Sequence, residues 1–290
     1  MSTFDSPNSA FPVTSTDTTT RPTLRTEEVE AYLQRLDVAP GTIDGPTLET
    51  LGRLLRAHIT TVPFETLAIT GDPYGEREGE GVVLSVPHLY EKIVERRRGG
   101  YCFELNGLFH ALLFAIGYDV RRVAARMVSE GAIRIPANHH VIVVDLDQPF
   151  VVDVGLGPPR IREPLPFDAT PRTDEVGVTW RVVASERPDA TYRTEYRTPD
   201  ETAWTPRYVF DDKPRPLRYF DATNDYFQSA PESPFTGEPT IAISTETGYR
   251  KLSGDTFEEA SGDEHHERTV TGDAWHEVLE QKFGLRYRSG

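Results

Sequence analysis

At 290 residues the chain is long enough for about two or three small domains with their own cores. Its 46 acidic residues against 31 basic ones leave a net charge of −15, which favours solubility and disfavours nonspecific nucleic-acid binding. Only four of the 31 basic residues are lysines, an acidic and lysine-poor balance that points to a halophilic, salt-rich cytoplasm, and the single cysteine excludes an intrachain disulfide.

Residues 1–25 read as a disordered tail, rich in Ser, Thr, Asp and Pro, without the basic start and apolar core of a signal peptide. No apolar run approaches the roughly 20 residues needed to cross a bilayer, so the expected protein is cytoplasmic with no membrane partner. Residues 26–117 read as mainly helical. Val29, Leu33 and Leu36 share one face, and Leu48, Leu51, Leu54 and Leu55 share another. Pro87 starts a further helix through Leu89, Ile93 and Val94. Arg96-Arg97-Arg98 would end it, where cations suit the dipole and could also raise the local potential near a thiolate or a phosphate.

The run Arg98-Gly99-Gly100-Tyr101-Cys102-Phe103-Glu104-Leu105-Asn106 then places the only cysteine where a glycine-rich loop becomes an apolar helix. Leu105, Leu108, Phe109, Leu112, Leu113 and Ile116 form one continuous stripe, and Gly117 caps its end. A thiol at such a helix start feels the positive end of the macrodipole, which lowers its pKa. An isolated cysteine is more often a small buried hydrophobe, so the assignment depends on its partners.

From Tyr118 to about Tyr208 the period becomes that of strands. Asn138-His139-His140-Val141-Ile142-Val143-Val144-Asp145 and Phe150 to Gly157 read as the two arms of a hairpin around Asp147-Gln148-Pro149. Asp153 is a carboxylate inside an apolar run and calls for a hydrogen-bonding or cationic partner, which a histidine on the neighbouring arm supplies. Cys102, a histidine and Asp153 together make a nucleophile, its base and the base's orienting acceptor, the constellation of a hydrolase or transferase. Further strands are expected over 178–183 and 192–196, and Lys213-Pro214-Arg215-Pro216 is a boundary candidate. The remainder mixes short strands with a closing helix near Trp275 to Phe283, and the acidic stretch Glu258 to Glu267 reads as a solvated loop rather than a metal site at His265-His266. Gly155-Leu156-Gly157 lacks the third glycine of a dinucleotide fingerprint.

Several blocks together resemble the arylamine N-acetyltransferase family: RGGYCFELN around Cys102, His58 with Val62-Pro63-Phe64-Glu65-Thr66-Leu67, the Asp153 to Gly157 run DVGLG, the spaced set Asn224, Tyr226, Ser229, Pro231, Ser233 and Phe235, then Gly248 to Leu252 and Phe283-Gly284-Leu285. They occur in the family's order from about Glu27 to Leu285. The chain departs at Thr66 for Asn, Leu156 for Phe beside the acceptor pocket, and Ala137-Asn138 for Arg-Thr.

The resemblance implies an α+β multi-domain fold: a disordered tail (1–25), a helical bundle with a papain-like cysteine helix (26–117), a β-barrel with the catalytic His and Asp (118–215) and an α/β lid (216–290). It implies acetyl transfer from acetyl-CoA through a Cys102 thioester to an arylamine or hydrazine nitrogen, with His139 as base, Asp153 as its orienter, Leu156 at the substrate pocket and no metal. An amide synthase closing a macrolactam with the same triad, or an inactive acyl-CoA binder, are the other readings. Counting back along the strand from Asp145 selects His139, whereas counting forward from Cys102 also suits His140. Strand register decides for His139, because a one-residue slip would turn 141–144 to the opposite face.

Overall fold

The computed structural model describes residues 23–128 and 135–287; the expected tail lies almost wholly outside them. The helical part contains α1 (Thr26–Arg35), α2 (Leu48–Thr61), α3 (Leu67–Thr70), α4 (Val86–Tyr90) and α5 (Cys102–Ile116), with the two-residue strand β1 (Phe64–Glu65) between α2 and α3. Thr47 caps α2 by accepting the Thr50 N–H at 3.1 Å, and Pro87 lies in the first turn of α4, where its missing N–H costs nothing. A single π-helical segment, Glu91–Glu95, continues α4. The apolar stripe of α5 is buried on almost every side, and Gly117 ends it at φ 105°, a left-handed conformation that suits glycine.

The second part is an antiparallel sheet of eight strands in the order β5-β4-β3-β2-β9-β8-β7-β6. Its members are β2 (Asp119–Met127), β3 (His139–Asp145), β4 (Pro149–Val152), β5 (Leu165–Pro166), β6 (Arg172–Thr173), β7 (Thr179–Ala184), β8 (Tyr192–Arg197) and β9 (Thr205–Pro214). β5 packs beside β7, so the sheet curls into a nearly closed barrel. The expected hairpin is β3–β4, with Asp145 opposite Pro149 and Ile142 opposite Val152. Its second arm is shorter than the apolar run implied. It ends at Val152, so Asp153 to Gly157 leave the sheet.

The third part carries α6 (Asp221–Ser229), β10 (Thr240–Ser244), β11 (Gly248–Ser253), β12 (Thr256–Ser261), β13 (Glu264–Thr269) and α7 (Asp273–Phe283). Its sheet runs β1-β10-β11-β12-β13, so a strand from the helical part forms its edge, with Phe64 opposite Ala242. The stretch Glu258 to Glu267, read from its charge as a solvated loop, is instead most of the β12–β13 hairpin, and all six residues of β13 are exposed. Cross-strand charge pairs replace the missing apolar alternation there: Glu259 bonds Arg250 at 2.5 Å on the neighbouring strand. His265 and His266 lie on this open edge, His265 bonding Glu258 at 3.0 Å. Among the described residues no helix is long and apolar enough to cross a membrane.

Candidate active site

Cys102 is the first residue of α5 and is 4 % exposed. The turn that presents it is held from below by buried charge. Glu104 accepts the Tyr101 N–H at 3.0 Å, so the helix start is capped by a carboxylate. Lys92 donates to both oxygens of Glu104 at 2.7 and 2.9 Å. Glu65, on β1, accepts from Arg98 at 2.7 Å and from the Leu67 N–H at 2.7 Å. Burial pushes Glu65 up, yet Arg98 and Lys92 outweigh it and hold the carboxyl below its ordinary range. For Glu104 burial prevails over Lys92, and its pKa is raised. The arginine run is therefore divided: Arg98 is buried on Glu65, Arg96 pairs with Glu80 at 2.6 Å, and Arg97 takes φ 51° at the surface. The loop reads in sequence as a helix end with spare positive charge, but two of its three arginines are committed to carboxylates.

The histidine and aspartate meet above this floor. His139 opens β3, and its Nε2 lies 2.7 Å from Asp153 Oδ2, with both side chains buried. Asp153 Oδ1 accepts from Asn106 Nδ2 at 2.8 Å and from the Gly155 N–H at 2.9 Å. Asn106 also donates to the His140 carbonyl at 2.7 Å and accepts the Val154 N–H at 2.9 Å. One amide on the second turn of α5 thereby ties the cysteine helix to the histidine strand and to the segment carrying the aspartate. Asn106 has no role in the sequence reading; its signal was a polar residue amid apolar ones, four positions from the cysteine. Gly155 completes the junction, because a Cβ there would stand 2.8 Å from Cys102 Cα. No side chain fits.

The adjacent His140 turns to the opposite face, as strand geometry demands. Its ring meets Phe220 at 4.7 Å and Phe103 at 5.5 Å between centroids, with the Cys102 backbone as a polar neighbour on the helix side. Leu156 is buried in the main core at 2 % exposure. His58 is likewise a core residue, its Nε2 lying 2.8 Å from Tyr32 Oη.

The thiol itself departs from expectation. Burial, with the Asp153 carboxylate adding to it, pushes Cys102 up, and the helix-start amides of Phe103 and Cys102 pull it down too weakly to compensate. The macrodipole argument omitted desolvation, which dominates in a sealed site.

The N-acetyltransferase family profile matches residues 47–289. The arylamine N-acetyltransferase of Mycolicibacterium smegmatis is 30% identical over 269 residues, covering 89% of this chain and 92% of that protein. The arylamine N-acetyltransferase / N-hydroxyarylamine O-acetyltransferase of Salmonella typhimurium is 38% identical over 166 residues, 53% of this chain and 56% of its own length. Among solved structures, arylamine N-acetyltransferase from M. tuberculosis superposes with a TM-score of 0.77 at 29% identity, covering 89% of this chain and 93% of that one. The Mycobacterium marinum arylamine N-acetyltransferase, solved in complex with CoA, gives 0.76 at 27% identity, with coverage of 89% and 93%. A profile spanning most of the chain, relatives of nearly full length and one shared three-domain architecture lead to a single assignment: this chain belongs to the arylamine N-acetyltransferase family, and it is an acyltransferase.

Proposed function

We propose that the chain transfers an acetyl group from acetyl-CoA through a thioester on Cys102 to the nitrogen of an arylamine or hydrazine. The observation that carries this reading is the continuous hydrogen-bonded series Asn106–Asp153–His139 assembled at the helix start that presents Cys102. With Nε2 engaged by Asp153, Nδ1 is the nitrogen of His139 left to take the thiol proton. As sulfur attacks the acetyl carbonyl, charge develops on the carbonyl oxygen, and the amides at the start of α5 are the donors at hand to stabilise it. The imidazolium then protonates the departing CoA thiolate. Exchange of one thioester for another is nearly balanced in energy, which suits a sulfur nucleophile better than a hydroxyl. In the second half the amine attacks the acetyl carbon, His139 accepts its proton, and the Cys102 thiol is regenerated. Asp153 fixes the imidazole tautomer and offsets its charge. Leu156 stands where relatives carry a Phe beside the acceptor, so a smaller apolar residue borders the amine. The acidic, lysine-poor surface supports work in a salt-rich cytoplasm.

Acetyl-CoA alone should add one acetyl group to the intact protein, located by peptide mass mapping to the segment holding Cys102. Cys102→Ala should lose both the adduct and arylamine acetylation. Intersecting rather than parallel double-reciprocal plots, with no adduct trapped, would refute the two-step scheme.

A further inference from the structure

The three parts of the fold meet around a cavity that catalysis does not use. Its volume is about 1500 Å³, and it is bordered by the end of α1, one face of α2, the loop at Arg97, Arg162 of the barrel, the β10–β11 turn and the end of α7. None of Cys102, His139, Asp153 and Asn106 lines it. Although the chain carries a net charge of −15, seven cations line the cavity against three carboxylates, Asp37, Glu175 and Glu246. Four of the seven are matched. Arg56 and Arg162 share Glu175 at 3.5 and 3.0 Å, and Arg250 and Lys282 share Glu259 at 2.5 and 3.8 Å. Arg53 donates to the Thr42 carbonyl. Arg35 and Arg97 form no ion pair among the described residues, with Asp37 and Glu246 or with any other carboxylate.

Arg35 is only 7% exposed. Its Nε donates to the Ile93 carbonyl at 3.1 Å and its Nη1 to the Thr61 carbonyl at 2.9 Å. Backbone carbonyls at helix ends supply only partial charge, and Nη2 keeps no partner among the described residues. Ile93 precedes Arg97 by four residues, and Thr61 and Arg97 line the same cavity, so the two guanidiniums share one corner of it. Burial, with Arg97 adding to it, lowers the pKa of Arg35 to about 10. Arg97 takes φ 51°, uncommon for a residue other than Gly, Asn or Asp, while Arg96 and Arg98 turn onto Glu80 and Glu65. Backbone strain and unrelieved like charge thus coincide at one point of a cavity, where a ligand would relieve the charge. Two planar guanidinium forks match a dianionic tetrahedral oxyanion, whereas one carboxylate would leave a charge uncompensated. The cavity is larger than the roughly 300–1000 Å³ of an ordinary ligand pocket, so it has room for a molecule carrying that group.

We propose that Arg35 and Arg97 hold the phosphate of a small phosphomonoester, whose remaining part lies along α2 in the cavity where the three parts of the fold meet. The ligand would tie these parts together. The inference stands independently of the acetyl-transfer scheme, because it is read by ligand binding at residues outside the Cys102 site.

The full chain is titrated calorimetrically with inorganic phosphate and with glucose 6-phosphate at about pH 8, where both are dianions, in potassium gluconate at constant ionic strength. Both should bind, the sugar phosphate at least as tightly, and each should raise the melting midpoint by about 2–4 °C at ten times its dissociation constant. Arg97→Asn, exposed and suited to the left-handed backbone, should keep the unliganded midpoint and weaken both at least about tenfold. The KM for acetyl-CoA should not move in this variant. Crystals soaked in tungstate, a dianionic phosphate analogue, should show the ion with oxygens within about 3 Å of both Arg35 and Arg97. Absence of phosphate binding, binding of phosphate with exclusion of the sugar phosphate, affinity that survives Arg97→Asn, or tungstate found only elsewhere would each overturn the proposal. A parallel rise in the KM for acetyl-CoA would overturn it too, by giving the cavity to the acetyl donor. Should Arg97→Asn fail to fold, the tungstate position in the unaltered protein decides alone.

Discussion

The helix start at Cys102 and the β12–β13 hairpin are both dense in charge, and they treat it in opposite ways. Beneath Cys102, Glu65, Glu104, Lys92 and Arg98 are all buried and each charge has a partner of opposite sign within 2.9 Å. On β13 the charged residues are all exposed, and the pair within that strand, His266 with Glu264, spans 3.9 Å. A carboxylate in the first region is held by desolvated partners, so its loss strands a cation. One in the second region exchanges a weak pairing for water. The same residue types therefore carry energies that differ severalfold according to whether solvent can replace the partner.

The largest test of that contrast is catalytic. His139→Ala, which removes the base from the Asp153 pair, should lower arylamine turnover by about 10⁴-fold. It should also prevent acetylation of Cys102 by acetyl-CoA, followed by intact mass. His140→Phe, placed between Phe103 and Phe220, should cost at most about tenfold. The reverse order of these two losses would show that the face assignment of β3 does not govern catalysis.

Next in size is Glu65→Gln, which leaves the buried Arg98 only its longer 3.4 Å contact with part-exposed Glu80 and should destabilise the protein by about 3 kcal/mol in denaturant unfolding. The pH dependence follows from the sign of the shift. Glu65 is held below its ordinary range, so its contribution is present above the unfolded-state pKa and disappears as pH falls through the lower folded-state value. Glu104 is raised and works in the opposite sense, its neutral form being favoured in the fold and the stability from it declining as pH rises from the unfolded toward the folded value. Glu65→Gln should therefore flatten the acid limb of the stability profile. An unchanged acid limb would remove the floor network from the account.

The smallest effect belongs to the hairpin. Glu264→Gln with Glu267→Gln should change stability by no more than about 0.5 kcal/mol. With a net charge of −15, self-repulsion should make the midpoint rise from dilute to molar potassium gluconate, and this double variant should remove part of that rise. A flat profile for the unaltered chain would end the halophilic reading without touching the chemistry.

Legibility in the sequence follows the same division. The stripe of α5, the β3–β4 hairpin and the odd carboxylate at Asp153 are visible because apolar periodicity marks them, and Asp153 is conspicuous by interrupting it. The motif blocks gave the order of the three parts. Three features were hidden for physical reasons. β13 has no apolar alternation, since neither of its faces is buried, and its strand identity comes from pairing with β12. β1 is two residues long and exists only because β10 arrives from far along the chain. The raised thiol depends on how completely the site is sealed, a property of packing that a helix start cannot reveal alone.

The membership of β1 in the distal sheet also constrains how the molecule is made. Phe64 and Glu65 pair with Ala242 and Ile241, and Tyr287 Oη donates to the Leu67 carbonyl at 2.9 Å. During synthesis the helical part leaves the ribosome long before those partners exist. Until then Phe64 and Glu65 have only the bridge to Gly100, and Arg98 lacks the Tyr287 ring that covers it at 4.4 Å. Closing so long a loop comes late in folding. The support beneath Cys102 is thus completed by residues translated long after it, and a nascent chain stalled before Ile241 would hold Cys102 on an unfinished floor.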